Sequence, residues 1–109
     1  MVIKFETKKD LRTFLGSYKK SKNALEFLFS FDDWSIFDYK ISYYQNTINM
    51  IEYFISLLSD DTLKFVCMLK YIEGKRFSEI ADIMCYSENY VKCLAQKAIN
   101  ELFDIVHVI

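Results

Sequence analysis

The chain of 109 residues contains no proline and only two glycines, Gly16 and Gly74. Proline breaks a helix by removing a hydrogen bond and clashing with the preceding turn, and glycine loosens it. Their scarcity leaves few forced stops, so the expected class is all-α. Histidine is nearly absent: His107 stands alone near the C-terminus and is expected to be a surface residue there. There is no glycine-rich phosphate loop and no nucleophile-and-base pattern. Asp32-Asp33 and Asp60-Asp61 are sequence neighbours, and adjacent residues on a helix do not share a face. No catalytic site, metal or cofactor is expected. Cys67, Cys85 and Cys93 lack the short spacing of a zinc or redox motif and are odd in number, so they are expected to be buried or half-buried reduced thiols.

Long apolar runs are missing as well. The longest candidate, near Met50–Leu58, contains Glu52 and falls far short of the roughly 20 residues that a membrane span requires. The opening Met-Val-Ile-Lys meets charge at once, unlike a secretory leader. A soluble, cytoplasmic protein inside a host cell, with no membrane partner, is the expectation. Neither charge sign prevails: 14 basic and 15 acidic side chains give a net charge of −1. Residues 60–109 carry six basic and eight acidic groups, so bulk electrostatics there offers little attraction for a polyanion.

What the chain does have is apolar periodicity. Hydrophobic residues make up 52% and aromatics 17%, enough for one packed domain and too much for disorder. Thr7 followed three residues later by Asp10 resembles a capping box, and Leu11, Phe14, Leu15 and Tyr18 give one face, predicting a first helix from about Lys8 to Lys20. Lys19, Lys20 and Lys22 would then form its basic C-terminal end, a solvated turn, with a phosphate contact as the alternative. Ser21 would cap a second helix through Ala24, Leu25, Leu28 and Phe29. Between Trp34 and Leu58, the steps Tyr44, Ile48, Ile51, Ile55, Leu58 mark the spine of the fold, with a coiled-coil dimer seam as the alternative use of that stripe. Ser59-Asp60-Asp61 starts a supporting helix over Leu63, Phe65, Val66, Leu69 and Ile72, which Glu73-Gly74 ends. The aromatics Phe27, Phe29, Phe31, Trp34, Phe37, Tyr39, Tyr43 and Tyr44 are expected mainly in the core. A hydrophobic partner interface and a stacking platform for single-stranded bases are the other readings.

The stretch from Tyr71 to Leu102 carries most information. Phe77, Ile80, Ala81 and Met84 share one face, and Ala81 is small where two helices would cross. Cys85-Tyr86-Ser87 forms a turn, and Ser87 is suited to cap the next helix. There Val91, Ala95, Ala98 and Leu102 make the buried stripe, while Glu88, Asn89, Lys92, Cys93, Gln96 and Lys97 face solvent. The segments GKRFSEIADIM and YSENYVKCLAQKAINEL resemble region four of bacterial sigma factors. The Tyr-Ser turn, the small size and the helical leader resemble more closely phage transcriptional regulators of the ArpU/RinA type. The likeness covers about residues 59–104. Length gives a single domain, 1–109, and the absence of proline with continuous three- and four-residue periodicity a small bundle of five or six helices. Residues 1–58 form its N-terminal helical part, and 59–109 a part with a C-terminal helix-turn-helix. The chain departs from the pattern at Arg76, where a capping serine is usual, at Cys85, where glycine is usual, and at Leu94-Ala95, where an arginine often adjoins a core leucine.

The resemblance implies a sequence-specific DNA-binding transcriptional regulator of a phage or other mobile element. In such a protein Asn89 and Gln96 would read adenine, Lys92 guanine or a phosphate, and Glu88 cytosine, with Cys93 among them. Lys75, Arg76 and Lys97 would hold the backbone of double-stranded DNA. A homodimer would double the cations. The rival reading is a small phage-type inhibitor that binds a host or competitor protein (a polymerase, an activator or a defence nuclease) through a helix-turn-helix scaffold. Leu94, if exposed, would then anchor the partner together with Trp34 and Phe31.

Overall fold

Thr7 starts the first helix. In the computed structural model, which describes residues 5–33 and 35–107 (the last by its backbone alone), Thr7 Oγ1 accepts the Asp10 N–H at 3.1 Å. The helix that follows, α1, spans Lys8–Leu15. It ends earlier than its apolar face suggests. Gly16 donates back to the Arg12 carbonyl, the Ser17 hydroxyl donates to Phe14 O at 2.6 Å, and α2 begins at once over Tyr18–Phe29. The break therefore falls at Gly16-Ser17 and not before Ser21, which is buried inside α2. Lys19 and Lys20 consequently stand in the first turn of a helix, the end where the dipole disfavours cations. The expectation that they stabilise a C-terminal turn is corrected.

A 3-10 turn, Ser35–Phe37, leads into α3, Asp38–Ser56. Helices α2 and α3 form a hairpin with the most extensive pairing in the molecule. Tyr18 at the start of α2 donates to Glu52 Oε1 near the end of α3 at 2.7 Å, closing its base, while the Phe31 and Phe37 rings meet at 5.3 Å at its tip. The expected spine is present: Ile48, Ile51, Ile55 and Leu58 are all buried. They are buried within one chain, so this stripe is not a dimer seam.

Asp60 caps α4, Asp61–Cys67, by accepting the Thr62 N–H at 2.7 Å. The helix continues as a π-helical stretch, Met68–Ile72, where Glu73 N donates to Met68 O at 2.9 Å. Gly74 then reverses the chain at φ 70°, with the Lys19 side chain lying against it. Two further helices complete the chain, α5 over Phe77–Met84 and α6 over Glu88–His107. Ile80, Ala81, Val91, Leu94, Ala95, Ala98, Ile99 and Leu102 interlock there. Glu101 Oε1 accepts both the Ser59 N–H and its hydroxyl at 2.8 Å, tying α6 to the start of α4. The N-terminal α1 closes the other side of α6, and its Phe14 packs with Phe5 and Phe54 at 5.3–6.0 Å. The described residues contain no strand, and the all-α class holds.

The turn between α5 and α6 stores strain. Tyr86 N donates to Ala81 O at 3.0 Å and Cys85 N to Asp82 O at 3.4 Å, the pair of bonds of a Schellman turn. This geometry puts Cys85 at φ 59°, ψ 38°, in the left-handed region. A side chain there costs about 1–2 kcal/mol, and glycine escapes that cost at about 0.5–1 kcal/mol of extra chain entropy. Cys85→Gly is therefore expected to raise stability by about 0.5–1 kcal/mol. Urea midpoints of parent and variant measure it, and a lower midpoint in the variant contradicts it.

Three weak acids, Cys67 and Tyr18 buried and Tyr71 half-buried, link the fold to pH. Burial pushes the Cys67 thiol from 9.0 up to about 12. Burial and then the bond to Glu52 raise the Tyr18 phenol from 10.0 to about 12, and burial raises Tyr71 likewise. All three hold their protons more tightly folded than unfolded, so their contribution is constant below about pH 9. It declines as the unfolded chain releases protons between about 9 and 12. Melting temperature is expected to fall steadily above pH 9, and less steeply in Tyr18→Phe. A flat profile to pH 11 would refute this.

Candidate nucleic-acid interface

The exposed side of α6 is set by its buried side. Val91, Leu94, Ala95, Ala98 and Leu102 turn inward, which leaves Asn89, Lys92, Cys93, Gln96 and Lys97 in solvent. Asn89, Cys93 and Gln96 follow one another at four- and three-residue steps and so form a single row. Ser87 starts that row by accepting the Tyr90 N–H at 3.2 Å. Leu94 is 8% exposed and packs into the core. Its use as an exposed partner anchor is corrected: the helical phase that exposes Cys93 turns the next residue inward. Phe31 is 43% exposed at the hairpin tip, and Trp34 lies outside the described residues, as does the side chain of His107. Of the expected partner contacts, Leu94 is in the core and Phe31 at the hairpin tip, so these two do not form one surface.

Charge on this face is partly neutralised locally. Lys92 Nζ lies 3.9 Å from Glu88 Oε1, one turn earlier. Arg76 Nε lies 3.5 Å from Glu79 Oε1, which also accepts the Arg76 N–H at 3.0 Å. Glu79 thus supplies one half of a capping box in place of the missing serine. These hydrogen bonds, the backbone one foremost, hold the Glu79 carboxyl below its ordinary range. Lys75 is half-buried just before it, and Lys70 Nζ sits 4.2 Å from the centre of the Phe77 ring. Lys97 lies on the flank of α6 away from Gln96 and has no ion pair among the described residues.

Sequence reasoning weighs Lys19 as a phosphate contact but does not single out Arg12, and both come from the N-terminal part. Residues 1–22 hold seven basic and two acidic side chains, whereas residues 23–63 hold one basic and seven acidic. A near-zero total hides two poles. Helix α1 brings Arg12 to α6, where its Nη2 donates to Gln96 Oε1 at 3.3 Å across 84 residues of sequence. Lys19 reaches the Gly74 turn beside Lys75 and Arg76. Arg12, Lys92, Gln96 and Tyr71 line a cleft of about 270 Å³ whose remaining walls are Phe77, Ala95 and Ile99. Two cations over an apolar floor suit an anion whose non-polar part rests on the wall, as a sugar-phosphate strand does. Nothing in the local sequence around Arg12 signals this, because the contact depends on how α1 docks.

Gln96 is held from both ends: it accepts from Arg12, and its Nε2 donates to Asn100 Oδ1 at 3.0 Å. A carboxamide has two acceptor sites and two donor hydrogens. One of each is engaged and one of each remains, so its amide plane is fixed without being used up. The chain matches no family model, no curated protein and no solved structure. The cysteines divide: Cys67 is buried as expected, but Cys85 and Cys93 are exposed, one by its turn and the other by its place in the outer row. Among the described residues no helix is long and apolar enough to cross a membrane.

Proposed function

We propose that the protein is a sequence-specific DNA-binding transcriptional regulator of a phage or mobile element. In this reading α5 and α6 are a helix-turn-helix of the sigma region-four kind. The observation that carries it is the open row Asn89, Lys92, Cys93, Gln96 on α6 with Arg12 brought alongside from α1. In a major groove, Asn89 and Gln96 read adenine edges, and Lys92, Arg12 and Lys97 hold phosphates on either flank. Lys75, Arg76 and Lys19 contact the backbone before α5. Glu88 serves chiefly to hold Lys92 in place, with cytosine as its base partner. A homodimer belongs to this reading, since it would place two reading helices about 34–36 Å apart; its seam lies outside the internal Ile48–Leu58 stripe.

The deciding experiment is selection from a random duplex library, with binding of the enriched site measured between about 50 and 200 mM salt. The expected result is an enriched site whose affinity falls steeply with salt. No enrichment and no salt-sensitive binding would end this reading. The second reading, a small inhibitor that acts by binding another protein, is favoured by the exposed aromatic residues of the hairpin tip.

A further inference from the structure

The aromatics of the α2–α3 hairpin were expected in the core, and most are not there. Phe27 is 64% exposed, Tyr43 61%, Ile36 77% and Tyr39 86%. Phe27 meets Phe31 edge-on at 5.3 Å, and Phe31 meets Phe37, so the two sides of the tip join in one apolar surface. Ile36 in the 3-10 turn and Tyr39 and Tyr43 on α3 follow at three- and four-residue steps, and Tyr43 leads into a groove lined by Phe14, Ser17, Lys20, Ser21, Tyr44 and Thr47. Single exposed apolar residues need no explanation, but a contiguous aromatic patch on a domain of this size marks an interaction site.

The surrounding charge selects what covers it. Glu26, Asp32, Asp33 and Asp38 are all exposed around the tip, against two cations: Lys40, the one basic residue of the sequence between positions 23 and 63, and Lys20, which lines the groove beside Tyr43. Lys22, just before this stretch, leans back over the Tyr18 ring at 5.7 Å. The Asp33 carboxylate accepts both the Ser35 hydroxyl, at 2.6 Å, and the Ser35 N–H, at 3.2 Å, which fixes it beside the patch in its charged form. An acidic rim repels phosphates, so neither nucleic acid nor an anionic lipid surface suits this end. Two copies meeting tip to tip would oppose carboxylate to carboxylate, and like charges across an interface suppress such pairings.

We propose that the tip of the α2–α3 hairpin, through Phe27, Phe31, Ile36, Tyr39 and Tyr43, docks an amphipathic helix of a partner protein whose apolar stripe is flanked by lysine or arginine. The surface lies at the opposite charge pole from Arg12 and Gln96, so it is independent of whether α6 reads DNA. If α6 does, the two poles make the chain an adaptor that joins a DNA site to a basic-flanked protein.

The test uses the full chain, isotope-labelled, titrated with two helical peptides that share one apolar stripe and differ in flanks, lysine in one and glutamate in the other. The expected result is saturable binding of the lysine-flanked peptide at least tenfold tighter than the other, with resonance shifts concentrated in residues 26–43. Phe27→Gln with Tyr39→Gln should weaken it at least tenfold while lowering the melting temperature only slightly, since both side chains are mostly in solvent and only the edge contact of Phe27 with Phe31 is lost. Asp32→Asn with Asp33→Asn should narrow the preference between the peptides. Equal binding of both peptides, binding of neither, or shifts centred on α6 would overturn the proposal. So would binding of phosphatidylglycerol vesicles through Phe27 and Tyr39, or self-association that the aromatic variant abolishes, since these would assign the tip to a membrane or to a second copy.

Discussion

Leu94→Ala is expected to destabilise the domain by about 2–5 kcal/mol, the usual range for emptying a buried leucine site. Leu94 is flanked in space by Val91, Ala95 and Ala98, all turned inward, and small alanines leave neighbours little side chain with which to refill a cavity. The low end of the range is the better guide, because its 8% exposure lets water reach part of the site. For a domain near this size each kcal/mol lowers the melting temperature by about 4–8 °C. A Leu94 exposed on the outer row would behave quite differently, since surface truncations stay within about 0.5 kcal/mol. Thermal or urea unfolding of the variant separates the two. A melting temperature within 2 °C of the parent would return Leu94 to the surface and shift the phase of α6 by one residue.

That phase was largely legible in sequence. The three- and four-residue steps of Ile80, Ala81, Val91, Ala98 and Leu102 identify buried faces whatever they pack against, and Ser87 and Asp60 announce helix starts by chemistry confined to three or four residues. The same locality explains the misses. Leu11, Phe14, Leu15 and Tyr18 keep one period across Gly16-Ser17, so the pattern alone does not reveal the break there. The π-helical stretch at Met68–Ile72 leaves no compositional mark. Leucine 94 sits between two inward phases, and only the register of α6 against α4 and α5 decides it. Aromatic residues usually pack in a core, so their type alone places Phe27, Phe31, Tyr39 and Tyr43 there. Those side chains instead stay exposed: α2 and α3 pair chiefly with each other, and the periodicity of one helix does not tell which of its faces a second helix leaves uncovered. Arg12 belongs to the least legible class, a side chain whose role depends on a contact 84 residues away.

Arg12 also gives the sharpest division of roles on α6. If α6 enters a major groove, Lys92→Ala removes one phosphate contact, weakens every duplex alike and lowers the salt slope by about one unit. Gln96→Ala and Asn89→Ala remove base contacts and should each cost about 1–3 kcal/mol on the preferred site, with little change on other sequences. Arg12→Ala should do both. Its guanidinium contributes a charge near the backbone, and its bond to Gln96 Oε1 fixes the plane in which that amide meets a base. The charge term should be restored by Arg12→Lys. The positioning term should recover only in part, because a single ammonium lacks the planar fork that pins the amide. The measurement is affinity of the five variants for a selected duplex and a scrambled one at two salt concentrations. If Arg12→Ala lowers the salt slope but leaves the ratio of the two affinities unchanged, Arg12 is a phosphate contact only and Gln96 is oriented without it. If neither quantity moves, the cleft between Arg12 and Lys92 lies off the DNA path, and the N-terminal cations do not serve the reading face at all.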